Sequence, residues 1–271
     1  MTTIRPPAVA GSFYPADADK LRALIDTYLQ EARLIGPPPK ALIAPHAGYI
    51  YSGPIAASAY AHLRAARGRI HRVVLLGPAH WVAVRGLAAS SAEAFATPLG
   101  IIPVDRQSLD RVLALPQVHL LDAAHQREHC LEVQLPFLQE VLAEFSLIPL
   151  VVGDATPEEV GRVLDLLWGG PETLLVISSD LSHYYNYATA KRLDEAVSRA
   201  IEALRPEDIQ DKQACGRYPI KGLLSAARKH GLHARTVDLR NSGDTAGPRE
   251  EVVGYGAYVF TDEGSLCQSS T

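Results

Sequence analysis

The chain has 271 residues, 47% of them hydrophobic and 21% charged, with a formal net charge of −4. This length and balance suit one large α/β domain that buries a substantial core. The mild acidity leaves no electrostatic footprint for nucleic acid. Arg64, Arg67, Arg69 and Arg72 are the densest basic stretch and read as the solvated end of a helix. The opening MTTIRPPAVAGSFYP lacks the apolar stretch of a secretory leader. No apolar run approaches the roughly 20 residues of a membrane span, so no membrane partner is expected. Cys130, Cys215 and Cys267 are odd in number and far apart, as expected of reduced thiols in a cytoplasm.

In chain order, residues 17–33 read as an amphipathic helix, with Leu21, Leu24, Ile25 and Leu29 at helical spacing. The stiff connector Gly36-Pro37-Pro38-Pro39 leads into a short buried strand over 40–45. An Ala-rich helix over 52–64 follows, with Pro54 near its first turn. Residues 71–76 form a second buried strand. Residues 84–89 and 99–104 are expected to pair around Thr97-Pro98. A helix over 131–143 and a strand over 147–152 come next. Thr156-Pro157-Glu158-Glu159 signals the start of a helix running to 167. Residues 173–177 are another buried strand, followed by helices over 188–204 and 220–230 and strands over 233–238 and 252–260. The pattern predicts a single α/β domain over 1–260, with helices on both faces of a largely parallel, mixed central sheet. The late strands add an antiparallel edge, and 261–271 is a flexible tail.

Ligands of such sheets collect outside the carboxyl ends of the strands. Three buried strands run into histidine there: KALIAP into His46, HRVVLL into Gly77-Pro78-Ala79-His80, and TLLVI into Ser178-Ser179-Asp180-Leu181-Ser182-His183. Three such histidines point to a metal or catalytic site, with His46 and His80 sharing an ion. Imidazole binds Fe(II), Cu and Zn alike, so a third protein ligand is needed to discriminate. Asp180, His183, Glu132 and Cys215 are the candidates. A neutral His183 suits a general base whose tautomer Asp180 fixes; alternatively Asp180 caps a following helical turn and His183 is a core residue. Cys215 precedes a helix, where a thiol is more easily deprotonated to the metal-binding thiolate. The other reading is a buried apolar cysteine.

His125, His129 and Glu132 form an H-x-x-x-H-x-x-E cluster at the start of the 131–143 helix. It matches a zinc-protease pattern poorly and suits residues that orient ligands or substrate, or that cap the helix. The turn carrying Phe13 and Tyr14 packs somewhere on the domain, and Arg240 to Asp244 is a polar turn, either cleft or surface. Phosphate-loop, nucleophile-elbow and C-x-x-C patterns are missing from the sequence.

Together these blocks resemble the Memo family, named for a mediator of cell motility, whose prokaryotic members are called AmmeMemoRadiSam system protein B. The resemblance runs from about Arg5 to Phe260. It rests on AGSFYP, APHAGYIYSG, LGPAH, EHCLEVQLPF, SSDLSHY, CGRYPI and VVGYGAY, in order. It implies a fold like that of LigB-type class III extradiol dioxygenases, which hold non-haem Fe(II) with two histidines and a carboxylate. Carried over, His46 and His80 match the histidine ligands and Cys215 stands near the place of the carboxylate. His183 matches the acid/base histidine and Asp180 its neighbour. His129, Glu132, Tyr49 and Tyr14 are expected beside the ligands or in the substrate pocket. Thiolate in place of carboxylate softens the site, favouring copper or a redox-active iron centre over simple dioxygenase chemistry, with zinc also possible. The resemblance thus implies a metal-dependent oxidoreductase acting on an unknown small molecule. Eukaryotic members resemble adaptors that take phosphotyrosine peptides into the same pocket, so the alternative is a binding module for a peptide or protein. The prokaryotic name implies association with an AMMECR-type protein and a radical SAM enzyme. A zinc hydrolase is a third option.

Overall fold

In the computed structural model, the description covers residues 3–262. Cys267 and the rest of the expected tail from 263 onward lie outside the described residues. Its strands are β1 (Ile4–Arg5), β2 (Ala41–Ala44), β3 (Arg72–Pro78), β4 (Leu87–Ala89), β5 (Ala94–Thr97), β6 (Gly100–Pro103), β7 (Val118–Leu120), β8 (Ser146–Val152), β9 (Thr173–Ser178), β10 (His183–Tyr185), β11 (Leu232–Asn241) and β12 (Val252–Asp262). The α-helices are α1 (Ala18–Glu31), α2 (Tyr49–Tyr60), α3 (Arg106–Leu113), α4 (Ala123–Gln126), α5 (Leu135–Val141), α6 (Pro157–Leu167), α7 (Tyr187–Glu202) and α8 (Arg217–Lys229).

The main sheet has the order β10-β12-β2-β9-β3-β8-β4-β7, with β11 also paired to β12. Its centre, β2-β9-β3-β8, is parallel. These strands are apolar and buried along almost their whole length, as a sheet covered on both faces requires. Helices α1, α2 and α5 pack as one group and α3, α6 and α8 as another. The sheet is mixed, because β12 runs antiparallel to β2, β10 and β11, and β4 antiparallel to β8. A single cluster of buried side chains spans both helix groups and the sheet between them.

Several local expectations are corrected. Residues 84–89 do not pair with 99–104: β4 lies between β8 and β7, while β6 folds back on β5 in a separate sheet β1-β5-β6. The tight turn after Thr97, whose Oγ1 accepts the Leu99 N–H at 3.0 Å, joins only adjacent strands. The helix expected from 52 starts at Tyr49, so Pro54 lies inside it. The helix expected over 131–143 is a 3-10 turn, Glu132–Gln134, followed by α5, with Pro136 at its first turn. Thr261 and Asp262 are not tail but the end of β12, paired with His233 and Leu232. The α6 start signal is realised as a reciprocal cap between Thr156 and Glu159. Among the described residues, no helix is long and apolar enough to cross a membrane.

Candidate metal centre

Because β9 lies between β2 and β3, the carboxyl ends of these three strands are side by side. His46 follows β2, His80 follows β3, and Ser179-Asp180 continue β9. The His46 and His80 ring centroids are 5.2 Å apart, nearly edge to face. Cys215 reaches the same place from the loop before α8. Its N–H donates to the Asp180 carbonyl (3.2 Å) and its Sγ accepts the Asp180 N–H (3.2 Å), clamping that loop onto the end of β9. Gly216 makes the approach possible, since a Cβ there would stand 2.6 Å from Ser179 Cβ. Cys215 Sγ is 3.3 Å from His46 Nε2. One donor atom each from His46, His80 and Cys215 lie within 4.8 Å of one another, close enough to share an ion. Donors bound at tetrahedral zinc-like distances stand roughly 3.5 Å apart, so this set fits a metal. Of the four third-ligand candidates, Cys215 is the one grouped with both histidines.

The far nitrogens of both rings are occupied. Ser178 Oγ donates to the Cys130 carbonyl at 2.7 Å, which commits its only proton. It must therefore accept from His46 Nδ1 (2.8 Å) and from Gln134 Nε2 (2.8 Å). The His46 tautomer follows: Nδ1 carries the hydrogen and Nε2 presents its lone pair toward Cys215. His80 Nδ1 lies 2.7 Å from Glu128 Oε1, and the Glu128 carboxylate also accepts the N–H groups of His80, His129 and Cys130. These donors hold the Glu128 pKa down at about 2 despite its burial, so it is anionic and His80 Nδ1 is the donor.

Burial, then the neighbouring His80, His129 and His183, push His46 well below its ordinary value, leaving the ring neutral. His129 is lowered to about 4, by burial first and by His80. Cys215 departs from expectation. Burial and the Asp180 carboxyl push its thiol up, outweighing its place before a helix N-terminus. A thiolate there needs a cation beside it. Burial also raises Asp180, against the His46 N–H that its Oδ1 accepts at 2.7 Å.

A cavity of about 520 Å³ opens over the centre, a size usual for small-molecule sites. His46, His80, His129, Asp180 and His183 line it, with Phe13, Tyr51, Tyr184 and Tyr255 supplying aromatic wall. His129 stacks on His80 at 4.7 Å and meets His46 edge-on at 5.5 Å. Ser242, in the polar turn, lines it as well. Asp180 caps no helix, because the chain continues through Leu181 and Ser182 into β10.

Tyr14, Tyr49 and Glu132 do not reach the cavity, which corrects their expected placement. Glu132 is fully buried, ion-paired with Arg5, and accepts Ala8 N–H (2.7 Å), Val9 N–H (2.9 Å) and Tyr14 O–H (2.6 Å). Tyr49 donates to the Val133 carbonyl at 2.8 Å and packs on Phe137. These residues fasten the N-terminal segment, and its neighbour Phe13 is the side chain that enters the cavity. Residues two apart on a helix point to nearly opposite sides, so burying Tyr49 turns Tyr51 outward. His125 is likewise away from the centre, bonded to the Ala88 carbonyl. Glu128 and Ser178 escaped the sequence reading. The one available signal was that both lie within two residues of a candidate histidine or aspartate.

The fold and site define an α/β protein with a two-histidine, one-cysteine cluster at the carboxyl edge of its sheet. A family model described as Memo-like protein matches residues 5–259. A MEMO1 family protein of Aquifex aeolicus is 37% identical over 268 residues, covering 95% of this chain and 99% of that one. Another from Thermotoga maritima is 35% identical, covering 93% and 97%. The chain belongs to the Memo family. An uncharacterised Escherichia coli K12 protein of known crystal structure shares the fold, with a TM-score of 0.53 and 16% identity, covering 81% of this chain and 98% of that one.

Proposed function

We propose that the protein is a non-haem metal-dependent oxidoreductase, related to class III extradiol dioxygenases, whose centre is held by His46, His80 and Cys215. The observation that carries this reading is the convergence of two imidazole nitrogens and a sulfur, with both Nδ1 atoms engaged behind them. Iron or copper bound there would supply Lewis acidity and electron transfer, and a soft sulfur donor suits both. The chain's own residues do the rest. His183, on the cavity wall, takes up or delivers a proton to a substrate heteroatom. Asp180, on the same wall, holds the His46 backbone N–H and so fixes where that ring stands. Phe13, Tyr51, Tyr184 and Tyr255 bind an apolar, preferentially aromatic body and exclude water. No lysine or arginine lines the cavity among the described residues, which favours a neutral substrate over an anionic one.

The test is anaerobic reconstitution with Fe(II) or Cu, scored by elemental analysis, in wild type, His46→Ala, His80→Ala and Cys215→Ser. The expected result is an ion bound by wild type and lost in each variant. Unchanged stoichiometry in all three variants overturns the assignment. A second reading, a docking pocket for a peptide or partner protein, is favoured by the 73% exposure of Tyr184 at the cavity rim. A partner whose capture survives loss of all three donors would support it.

A further inference from the structure

The two histidines are oriented by different chemistry. His46 donates to Ser178, a neutral hydroxyl, whereas His80 donates to Glu128, a carboxylate 2% exposed. Glu128 uses both oxygens: Oε2 accepts the His80 N–H, and Oε1 accepts His80 Nδ1–H, His129 N–H and Cys130 N–H. The same segment reaches the other histidine, since the Cys130 carbonyl takes the Ser178 proton and so forces Ser178 to accept from His46. Cys130 also packs where Gly77 leaves room, a Cβ on Gly77 falling 2.5 Å from its Sγ. Residues 128–130 therefore lock both rings with Nε2 forward.

The geometry points to Glu128 as a positioning residue. It fixes the His80 tautomer and ring angle, makes that imidazole the stronger donor of the pair, and adds a buried negative charge behind the cation site. This rests on the metal-centre reading above. Carboxylates hydrogen-bonded to ligating histidines orient the ring and raise its basicity, and their loss costs roughly 10–100-fold in metal affinity. Ser178 has no charge to lend, so its removal costs less.

Co(II) is the probe, its affinity measured by competition with a chromophoric chelator and its coordination by the visible spectrum. Glu128→Gln is expected to bind with unchanged stoichiometry, about 10–100-fold more weakly and with a shifted spectrum. Ser178→Ala should lose less, and Glu128→Asp should recover part of the loss. Co(II) binding by wild type that depends on His46, His80 and Cys215, yet has equal affinity and an identical spectrum in Glu128→Gln, overturns this proposal and leaves the metal centre standing. Binding that is undetectable in wild type, or indifferent to the three donors, overturns the metal centre itself. Should Glu128→Gln not fold, histidine-labelled wild type with bound Cd(II) decides by NMR. Cadmium coupling to His80 Nε2 with a retained Nδ1 proton supports the proposal, and coupling to Nδ1 refutes it.

Discussion

Replacing Glu132 by glutamine separates a structural carboxylate from a functional one. Each of its oxygens serves two donors: Oε1 takes Val9 N–H and Tyr14 O–H, and Oε2 takes Ala8 N–H and Arg5. A glutamine offers one oxygen, so its amide hydrogens must face one pair of donors head on. The change also leaves the Arg5 guanidinium, 6% exposed, without its counter-charge. Breaking one half of a buried ion pair costs about 3–5 kcal/mol, and the unsatisfied donors fall within that range. Urea unfolding should show a loss of about 4 kcal/mol in Glu132→Gln. Limited proteolysis should release the segment before Tyr14 while the core remains intact. Metal stoichiometry should not change. A loss below about 1 kcal/mol, or loss of metal at unaltered stability, refutes the assignment of Glu132 to the N-terminal clasp.

Gly216→Ala places a Cβ 2.6 Å from Ser179 Cβ, where carbon contacts settle near about 3.5–4.0 Å. The Cys215 loop should shift by about 1 Å, with a stability cost of about 1–3 kcal/mol and at least a tenfold loss of Co(II) affinity. An unchanged Co(II) affinity contradicts this. Burial raises Asp194 to about 6, against the Ser182 N–H that it accepts. The folded state then binds the proton more tightly than the unfolded chain, so stability falls as pH rises from the ordinary carboxyl value through about 6. Asp194→Asn should therefore gain up to about 3 kcal/mol above that range and nothing well below it, read from urea midpoints across pH. Parallel pH curves for the two proteins would be inconsistent with the raised value. Tyr184 holds a left-handed backbone, φ 60°, with its side chain largely exposed. Tyr184→Asn should stabilise the chain by up to about 1 kcal/mol in the same assay, and a marked loss of stability counts against strain at this position.

The sheet centre was legible because β2, β3, β8 and β9 are nearly unbroken apolar runs, and their polar continuations announced His46, His80 and Asp180. The placement of β12 was less visible. Val252–Asp262 reads as an edge, but it inserts between β2 on one side and β10 and β11 on the other, a choice made by long-range pairing. Around the centre, sequence reading picked Tyr14, Tyr49 and Glu132 where the structure brings Phe13, Tyr51 and Glu128. Each choice was a matter of facing, decided by helix start points and by a stretch over 127–131 that has no regular period. Cys215 carried only the signal of its place before a helix and beside a glycine, because its closeness to His46 depends on the Asp180 clamp, a contact between distant parts of the chain.

The three donors at 46, 80 and 215 come from distant parts of the chain, and none has a second donor of the group among its sequence neighbours. An unfolded chain therefore offers no comparable site, and an ion held there binds only the assembled molecule. At a free concentration of about 100 times its dissociation constant, such an ion would add about 2.7 kcal/mol to global stability. Occupancy would be visible at points as remote as the α7–β11 packing, where hydrogen exchange through global unfolding would slow by about a hundredfold without any local change in structure. Metal supply in the cell would then act as a determinant of how long the protein lasts.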